Sequence, residues 1–180
     1  CYTIHNIHHQ GVTGEFVLRQ IGMNPAHYLT MERLLDPRHH GAVNVMKGGI
    51  VFSNFVTTVS PTYMNEIMWT GLGHGLQGVL QYYRGKCGGV LNGIDYGEWN
   101  PEVDRFIPHK YSINNLDGKY RNKEALRNRF WLRQEYKPIV AVVSRLDQQK
   151  GVNLIRHAIF YALANNCQFV LLGTSPEAGI

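Results

Sequence analysis

Apolar residues in this chain fall into short runs that alternate with stretches of helical spacing. The runs have the length of β-strands, between about four and eight residues. Predicted strands cover residues 1–4, 49–59, 88–91, 139–144 and 168–172. The first part of 49–59 can equally be the end of a helix, because Ile50, Val51 and Phe52 do not alternate with polar residues. The pattern predicts five strand segments, one of them ambiguous.

Helices are predicted where apolar residues recur every three or four positions. Residues 62–69 follow Ser60, a candidate N-cap, and Pro61, a residue favoured in the first turn of a helix. Further helices are predicted over residues 116–129 and 152–164.

Loops are predicted over residues 11–42, 71–75 and 95–112. The length of the first is unusual for a compact domain and indicates a functional insertion or lid.

Strands that alternate with helices predict an α/β protein with mostly parallel sheets. The clearest unit covers residues 138–173, where an apolar strand, a polar turn, a helix and a second apolar strand follow one another. A right-handed crossover places the turn at the carboxyl edge of the sheet. We therefore expect a ligand at that edge, because open α/β sheets bind ligands there.

Composition and charge limit the class of protein. The chain has 180 residues, of which 44% are hydrophobic and 17% charged, as in globular proteins. Its three cysteines are odd in number and widely spaced, which argues against a disulfide framework and suits a reducing compartment. Neither a membrane-spanning run nor a signal peptide is apparent. The chain starts within a strand without a methionine, so we expect an internal piece of a longer protein.

The formal net charge of +5 is compatible with an anionic partner, but a mildly basic surface is the better explanation. The densest basic stretch, residues 119–133, has near-helical apolar spacing. It is predicted to be a solvated helix face.

The turn at residues 144–151, here called the 144–151 loop, carries the clearest candidate chemistry. It brings Arg145 and Lys150 to one rim just before a predicted helix. Arginine offers a planar fork to phosphate oxygens, lysine a mobile charge, and a helix N-terminus unpaired N–H groups. The loop is either a diphosphate clamp or an exposed basic turn, and spacing alone favours neither.

Two further sites follow predicted strands. Asn92 precedes Gly93, a pair that favours a turn with positive φ, and its amide could bind sugar hydroxyls. The alternative is a tight turn without a ligand. His5 and Asn6 end the first strand and either offer polar groups to a ligand or form a structural turn.

Metal and anion sites receive less support from the sequence. The histidines at positions 5, 8 and 9 match no standard zinc spacing. Lys47, beside two glycines, could approach an anion, but the end of a helix is the better explanation.

Together and in this order, these motifs resemble the glycogen and starch synthases over essentially the whole chain. The matching stretches are Thr3-Ile4-His5-Asn6 with Gln10-Gly11, Lys47-Gly48-Gly49-Ile50, Val56-Thr57-Thr58-Val59-Ser60-Pro61-Thr62-Tyr63, Leu91-Asn92-Gly93-Ile94-Asp95, Trp99-Asn100-Pro101, Ser144-Arg145-Leu146, Gln149-Lys150-Gly151 and Gln168-Phe169-Val170-Leu171-Leu172-Gly173. Residues 154–159 look most similar to cyanobacterial and plant plastid-type members.

The resemblance implies portions of two Rossmann-like domains of a GT-B fold. Residues 1–91 would belong to the first domain and 92–180 to the second, nucleotide-binding domain, with the active site in the cleft between them. His5 and Asn6 match residues that face the transferred glucose, and Asn92 matches a sugar contact at the domain crossing. Arg145 and Lys150 match a pair that binds the nucleotide's phosphates. Gly173 resembles a residue near the base and ribose.

The implied reaction moves glucose from ADP-glucose, sometimes UDP-glucose, to the non-reducing end of an α-1,4-glucan with retention of configuration. The resemblance implies no metal or other cofactor, no nucleic acid or membrane partner, and a location in bacterial cytoplasm or plastid stroma. His9 replaces an aromatic residue of many relatives. The family's N-terminal Lys-x-Gly-Gly loop and C-terminal Glu motif lie outside this chain, so we expect the isolated chain to be inactive.

Three alternatives stay open at this stage. One is another GT-B transferase, such as a sucrose-synthase-like enzyme. A second is a non-catalytic glucan-binding or regulatory fragment. A nucleic-acid binder is the third, and it rests only on charge and one basic helix.

Overall fold

A computed structural model describes residues 1–175 of the chain. Contacts divide the chain into two compact units, the first spanning Cys1–Ile94 and the second starting at Asp95. The domain boundary between residues 91 and 92 stays a prediction.

The first unit is built on a three-stranded parallel sheet with the strand order β1-β4-β5, and β2 pairs with β3 in a small antiparallel sheet. Its elements, in chain order, are β1 (Tyr2–Ile4), β2 (Val12–Thr13), α1 (Phe16–Gln20), α2 (Pro25–Tyr28), β3 (Val43–Asn44), α3 (Val45–Phe52), β4 (Val56–Thr58), α4 (Pro61–Trp69), α5 (Gln77–Tyr82), a 3-10 turn (Arg84–Lys86) and β5 (Cys87–Gly89).

The main core of this unit lies between the parallel sheet and helices α3 to α5. Strand side chains Ile4 and Val56 are fully buried, as are Ile50, Ile67 and Leu80 from the helices. Burying a side chain of this size stabilises a fold by about 1.5–3 kcal/mol. The apolar spacing of the strands and helices therefore positions the sheet whose carboxyl edge carries His5.

The ambiguous stretch 49–59 resolves into the last turn of α3 and then β4, so the helix alternative is the correct one for its first part. Asn44 caps α3, since its Oδ1 accepts the N–H of Lys47 at 2.8 Å. Gly49 permits close packing, because a Cβ there would lie 2.5 Å from the ring of Tyr2. Gly49 thus lets the helix approach β1, whereas Gly48 faces Leu34, whose Cδ2 would lie 2.2 Å from an added Cβ.

Residues 11–42 were predicted to be one loop, and this prediction was wrong. They contain β2, α1 and α2, and a second small core forms from Leu18, Leu34 and Val43. The two helices have five and four residues, too few for a hydrophobic period to be recognised.

The second unit contains a parallel pair of strands and two longer helices. Its elements are α6 (Asp117–Arg129), β6 (Ile139–Val143), a 3-10 turn (Gln148–Lys150), α7 (Val152–Ala164) and β7 (Gln168–Leu172). Strands β6 and β7 are paired in register from Ile139↔Gln168 to Val143↔Leu172. The predicted strand–turn–helix–strand unit is confirmed, and so is the α/β class with mostly parallel sheets.

One member of the predicted solvated basic face is buried. Arg127, on α6, is 6% exposed. Its Nε donates to Oε1 of Gln168 at 2.8 Å, and its Nη2 donates to the carbonyl of Lys137 at 2.8 Å. The prediction was wrong for Arg127, because this guanidinium ties α6 to the start of β7.

Candidate functional site

Backbone hydrogen bonds fix the 144–151 loop beyond the carboxyl edge of the β6–β7 sheet. The N–H of Ser144 donates to Leu172 at 3.1 Å, and the N–H of Leu146 donates to Thr174 at 2.9 Å. Gly173 lies between these two bonds, where a Cβ would come within 2.1 Å of the Ser144 carbonyl oxygen. Gly173 therefore permits the close approach of the two loops at this edge.

Asp147 organises the turn that carries both candidate phosphate-binding cations. Its Oδ1 accepts the N–H of Lys150 at 2.9 Å and so caps the 3-10 turn. Its Oδ2 lies 3.5 Å from Nη1 of Arg145. Gly151 follows with φ of 72° and is the N-cap residue of α7. An Asp three residues before the capped N–H is the signal by which the sequence marks this turn.

The two cations are available to a ligand in solution. The Arg145 side chain is 64% exposed, whereas that of Asp147 is 14% exposed. Lys150 is also exposed. The turn thus presents two positive charges beside the first residues of a 13-residue helix. Such an arrangement suits an anion with several oxygens.

In the first unit, His5 and Asn6 follow β1 and Asn92 follows β5 at the same edge of the parallel sheet. Because β4 lies between β1 and β5, about 10 Å separates the two strand ends. His5 and Asn92 are exposed. The predicted turn with positive φ at Asn92 and Gly93 was wrong, since neither has a positive φ. The segment continues from β5 without a turn.

Local hydrogen bonds shape residues 5–11, here called the 5–11 loop. Oδ1 of Asn6 accepts the backbone N–H of His8 at 3.0 Å and lies 3.2 Å from the ring Nδ1 of His8. The N–H of Ile7 donates to the hydroxyl of Tyr63 at 3.0 Å. Asn6 therefore shapes the loop whose first member is His5.

A cleft of about 490 Å³ adjoins this loop and is lined by His8, His9, Gln10, Gly11, Val12 and Arg38. The ring of His74 lies 3.8 Å from that of His8, centroid to centroid. Burial lowers the pKa of His74, and the nearby charges of His8 and Arg38 lower it further. The lining of the cleft thus includes one guanidinium, of Arg38, and two imidazoles, of His8 and His9.

Lys47 does not reach this edge. It is 1% exposed, and its Nζ donates to the carbonyls of Met31 and Leu35 at 2.6 Å each. Burial lowers its pKa, although Asp36 and Glu32 act in the opposite direction. Lys47 is a structural cation that holds residues 31–35 against α3. The suggested approach of Lys47 to an anion was therefore wrong.

Within residues 1–175, no cluster of three or more His, Cys, Asp or Glu side chains is placed to hold a metal ion. No helix within these residues has the length and hydropathy that crossing a bilayer demands.

Comparisons with known proteins show what the chain is similar to. A family model described as the starch synthase catalytic domain matches residues 1–82. Glycogen synthase 1 of Nitrosococcus oceani is 61% identical over 180 residues, and glycogen synthase 1 of a Synechococcus strain is 52% identical over 181. Each alignment covers the whole chain but 37% of the relative, so the chain spans about 37% of the length of the curated relatives it matches.

A solved structure matches both units. The catalytic domain of starch synthase IV from Arabidopsis thaliana, bound to ADP and acarbose, superposes with a TM-score of 0.95 at 42% identity. The match covers 98% of this chain and 36% of that one. It confirms the predicted fold class, portions of two Rossmann-like domains of the GT-B type.

Proposed function

Since the chain belongs to the glycogen and starch synthase family, we propose that the longer protein containing it is a glucosyltransferase. It transfers glucose from ADP-glucose to the non-reducing end of an α-1,4-glucan. The 144–151 loop binds the diphosphate of the donor, and the 5–11 loop with Asn92 contacts the sugar.

The observation that carries this proposal is the placement of Arg145 and Lys150. Both are exposed on one capped turn at the carboxyl edge of β6 and β7, directly before α7. Carboxyl edges of this kind are the usual ligand sites of parallel sheets. The structure that matches 98% of the chain has ADP bound, which supports a nucleotide diphosphate as the ligand.

The chemistry of the leaving group explains why two fixed cations matter. When the bond between the sugar and the diphosphate breaks, negative charge grows on the departing oxygen. Cations held at that position stabilise the transition state more than the ground state and so lower the barrier. We propose that Arg145 and Lys150 supply this charge without a metal ion. The charge is in place before the reaction, because Asp147 and the backbone bonds at Ser144 and Leu146 fix the loop.

We propose that three residues of the first unit contact the sugar. His5 and Asn6 extend beyond β1, and Asn92 beyond β5, on one sheet edge. Imidazole and amide groups both donate and accept hydrogen bonds, as sugar hydroxyls require. We assign these residues to the transferred glucose and Gly173 to the surroundings of the base and ribose.

We propose ADP-glucose as the donor in preference to UDP-glucose, supported by the ADP of the matched structure, and a glucan as the acceptor, supported by its acarbose. We expect no nucleic acid and no membrane as partners. The bacterial relatives support bacterial cytoplasm, rather than plastid stroma, as the compartment.

The test uses the full-length protein with Arg145→Ala and Lys150→Ala introduced separately. Removing one electrostatic group that acts on the transition state typically costs about 10²–10³ in turnover. We expect a loss of that size in kcat/KM for ADP-glucose, with urea unfolding unchanged. The matched control is Arg156→Ala, which removes an exposed positive charge from α7 outside the loop. Near-normal turnover in both loop variants would refute the assignment of the diphosphate site.

A further inference from the structure

A chain of buried polar side chains lies under the 5–11 loop in the first unit. Gln10 is 4% exposed, Asp36 is 3% exposed and Asn44 is 0% exposed. Nδ2 of Asn44 donates to Oε1 of Gln10 and to Oδ2 of Asp36, at 2.7 Å each. At its far end, Nε2 of Gln10 donates to the carbonyl of His74 at 3.1 Å. Three loops that are distant in sequence are therefore joined by side-chain hydrogen bonds.

Asp36 anchors this network of side-chain hydrogen bonds to the turn that follows residue 36. Its Oδ1 accepts the backbone N–H groups of Arg38 at 2.9 Å and His39 at 2.7 Å, and lies 2.9 Å from the ring Nδ1 of His39. The neighbouring Arg38 side chain lines the cleft beside the 5–11 loop and lies close to Gly75. The carboxylate thus fixes one wall of that cleft as well as the orientation of Asn44.

The network has a direction that the carboxylate of Asp36 and the backbone N–H of Lys47 set together. An ionised carboxylate accepts hydrogen bonds and donates none, so the Asn44 amide must turn its NH₂ toward Asp36. The same NH₂ then requires the oxygen of the Gln10 amide, which leaves the Gln10 NH₂ for the carbonyl of His74. The Oδ1 of Asn44 is left to accept the N–H of Lys47 at the start of α3. A buried network satisfied throughout holds its members rigidly.

The far end of the network acts on the loop that carries His5 and Asn6. The backbone carbonyl of Gln10 also accepts the N–H of Met46 at 2.9 Å, so both ends of the Gln10 residue are held. His74, whose carbonyl Gln10 binds, packs its ring against His8. If Gln10 moves, the loop should therefore move at Gln10 and Gly11 and, through His74, at His8.

We propose that Asp36 is a positioning residue for the sugar-binding part of the site. It orients the amides of Asn44 and Gln10, and through them it fixes the 5–11 loop against His74. The consequence for turnover rests on the proposed function, whereas the order of the loop does not.

The first variant is Asp36→Asn in the full-length protein, a change that keeps the shape of the side chain. Neither orientation of the new amide accepts both from Asn44 and from the backbone N–H groups of Arg38 and His39. We expect hydrogen exchange of residues 5–11 to accelerate at least about tenfold. We also expect kcat to fall roughly tenfold or more. The KM for ADP-glucose should change less, because Arg145 and Lys150 are untouched. The control is Glu32→Gln, the same chemical change at an exposed site nearby.

A second variant separates positioning from stability. Asp36→Asn combined with Asn44→Asp restores a donor and an acceptor between the two positions and keeps the charge. An oxygen of residue 44 then faces Oε1 of Gln10, so the Gln10 amide must turn over and lose the carbonyl of His74. We expect the unfolding midpoint to recover toward that of the wild type while loop exchange stays fast and kcat stays low.

The outcomes are distinguishable. The proposal would be overturned if the double variant recovered kcat and slow loop exchange together with stability. It would also be overturned if loop exchange were unchanged in a folded Asp36→Asn protein. If Arg145→Ala is fully active, the proposed function fails, and the exchange of residues 5–11 still decides whether Asp36 positions the loop. If Asp36→Asn does not fold, the double variant alone decides.

Discussion

Oδ2 of Asp147 lies 3.5 Å from Nη1 of Arg145, while Oδ1 of the same carboxylate caps the turn through the N–H of Lys150. One acidic side chain therefore contacts the first cation and fixes the backbone of the second. The Arg145 side chain is mostly exposed, so the ion pair itself contributes about 0–1 kcal/mol to stability. The cap, worth about 1 kcal/mol, has the larger effect on the loop.

Two substitutions at Asp147 separate these effects. Asp147→Asn keeps the capping oxygen and removes the charge, so we expect kcat for ADP-glucose to stay within about threefold of wild type, in line with the small worth of an exposed ion pair. Asp147→Ala removes the cap and loosens Lys150, so we expect kcat to fall roughly tenfold, the equivalent of about 1.4 kcal/mol. Steady-state kinetics of both variants provide the measurement. Equal losses in the two would show that the charge, not the cap, matters.

Gly173→Ala should disrupt the edge that carries the 144–151 loop. The added Cβ would lie 2.1 Å from the carbonyl oxygen of Ser144, and backbone at this point cannot move without breaking the bonds at Leu172 and Thr174. We expect a loss of about 1–3 kcal/mol in the free energy of unfolding of the second unit, together with weaker binding of ADP. Urea unfolding and calorimetric titration with ADP measure the two effects.

The control for Gly173 is Gly85→Ala, where a Cβ would meet nothing within 4 Å. That variant should unfold and bind ADP like the wild type. A Gly173→Ala protein that also matches the wild type in both would contradict the close-approach role of this glycine.

The parts of the fold that the sequence predicted well are those with long, local patterns. The helix α7 and the strand β7 have the predicted bounds, because 13 and five residues of sustained spacing specify them. The helices α1 and α2 were missed because they are shorter than any periodic window. The length of the periodic pattern, rather than the apolar content, therefore determined which elements were predicted correctly.

The site shows the same division between local and long-range signals. Arg145 and Lys150 are candidates from the sequence because they share one short turn with a strand before it and a helix after it. The buried link from Arg127 to Gln168 spans 41 positions, and the link from Gln10 to Asn44 spans 34. No local pattern marks such partners, since each side chain alone resembles an ordinary polar surface residue.

Arg127 offers a stability test for the second unit. Arg127→Met keeps the length of the buried stem but leaves Oε1 of Gln168 and the carbonyl of Lys137 without this donor. Removing a charged donor from buried acceptors costs about 2–4 kcal/mol. Urea unfolding should show that loss, whereas Arg129→Met, an exposed change on the same helix, should alter stability by less than about 0.5 kcal/mol. Similar stability of the two variants would contradict the structural role of Arg127.

Asp36 predicts a dependence of stability on pH. Burial raises the pKa of its carboxyl, but hydrogen bonds from Asn44, from the backbone of Arg38 and His39 and from the ring of His39 together hold it below the ordinary value of 3.8. A depressed pKa in the folded state means that the unfolded state takes up the proton first on acidification. The stabilisation by the carboxylate is therefore fully present above about pH 4 and is lost as the pH falls through the depressed value.

The measurement compares urea unfolding of the wild type and Asp36→Asn between about pH 2.5 and 7, a range that spans the ordinary carboxyl pKa. We expect the difference in unfolding free energy to be constant, at about 2–3 kcal/mol, above pH 5. It should shrink toward the acid end, because protonation removes from the wild type the charge that the variant already lacks. Glu15→Gln, at an exposed ion pair with Arg19, is the control and should show a small difference at every pH. A difference that stays constant down to the lowest pH would mean that the Asp36 carboxylate does not stabilise the fold through its charge.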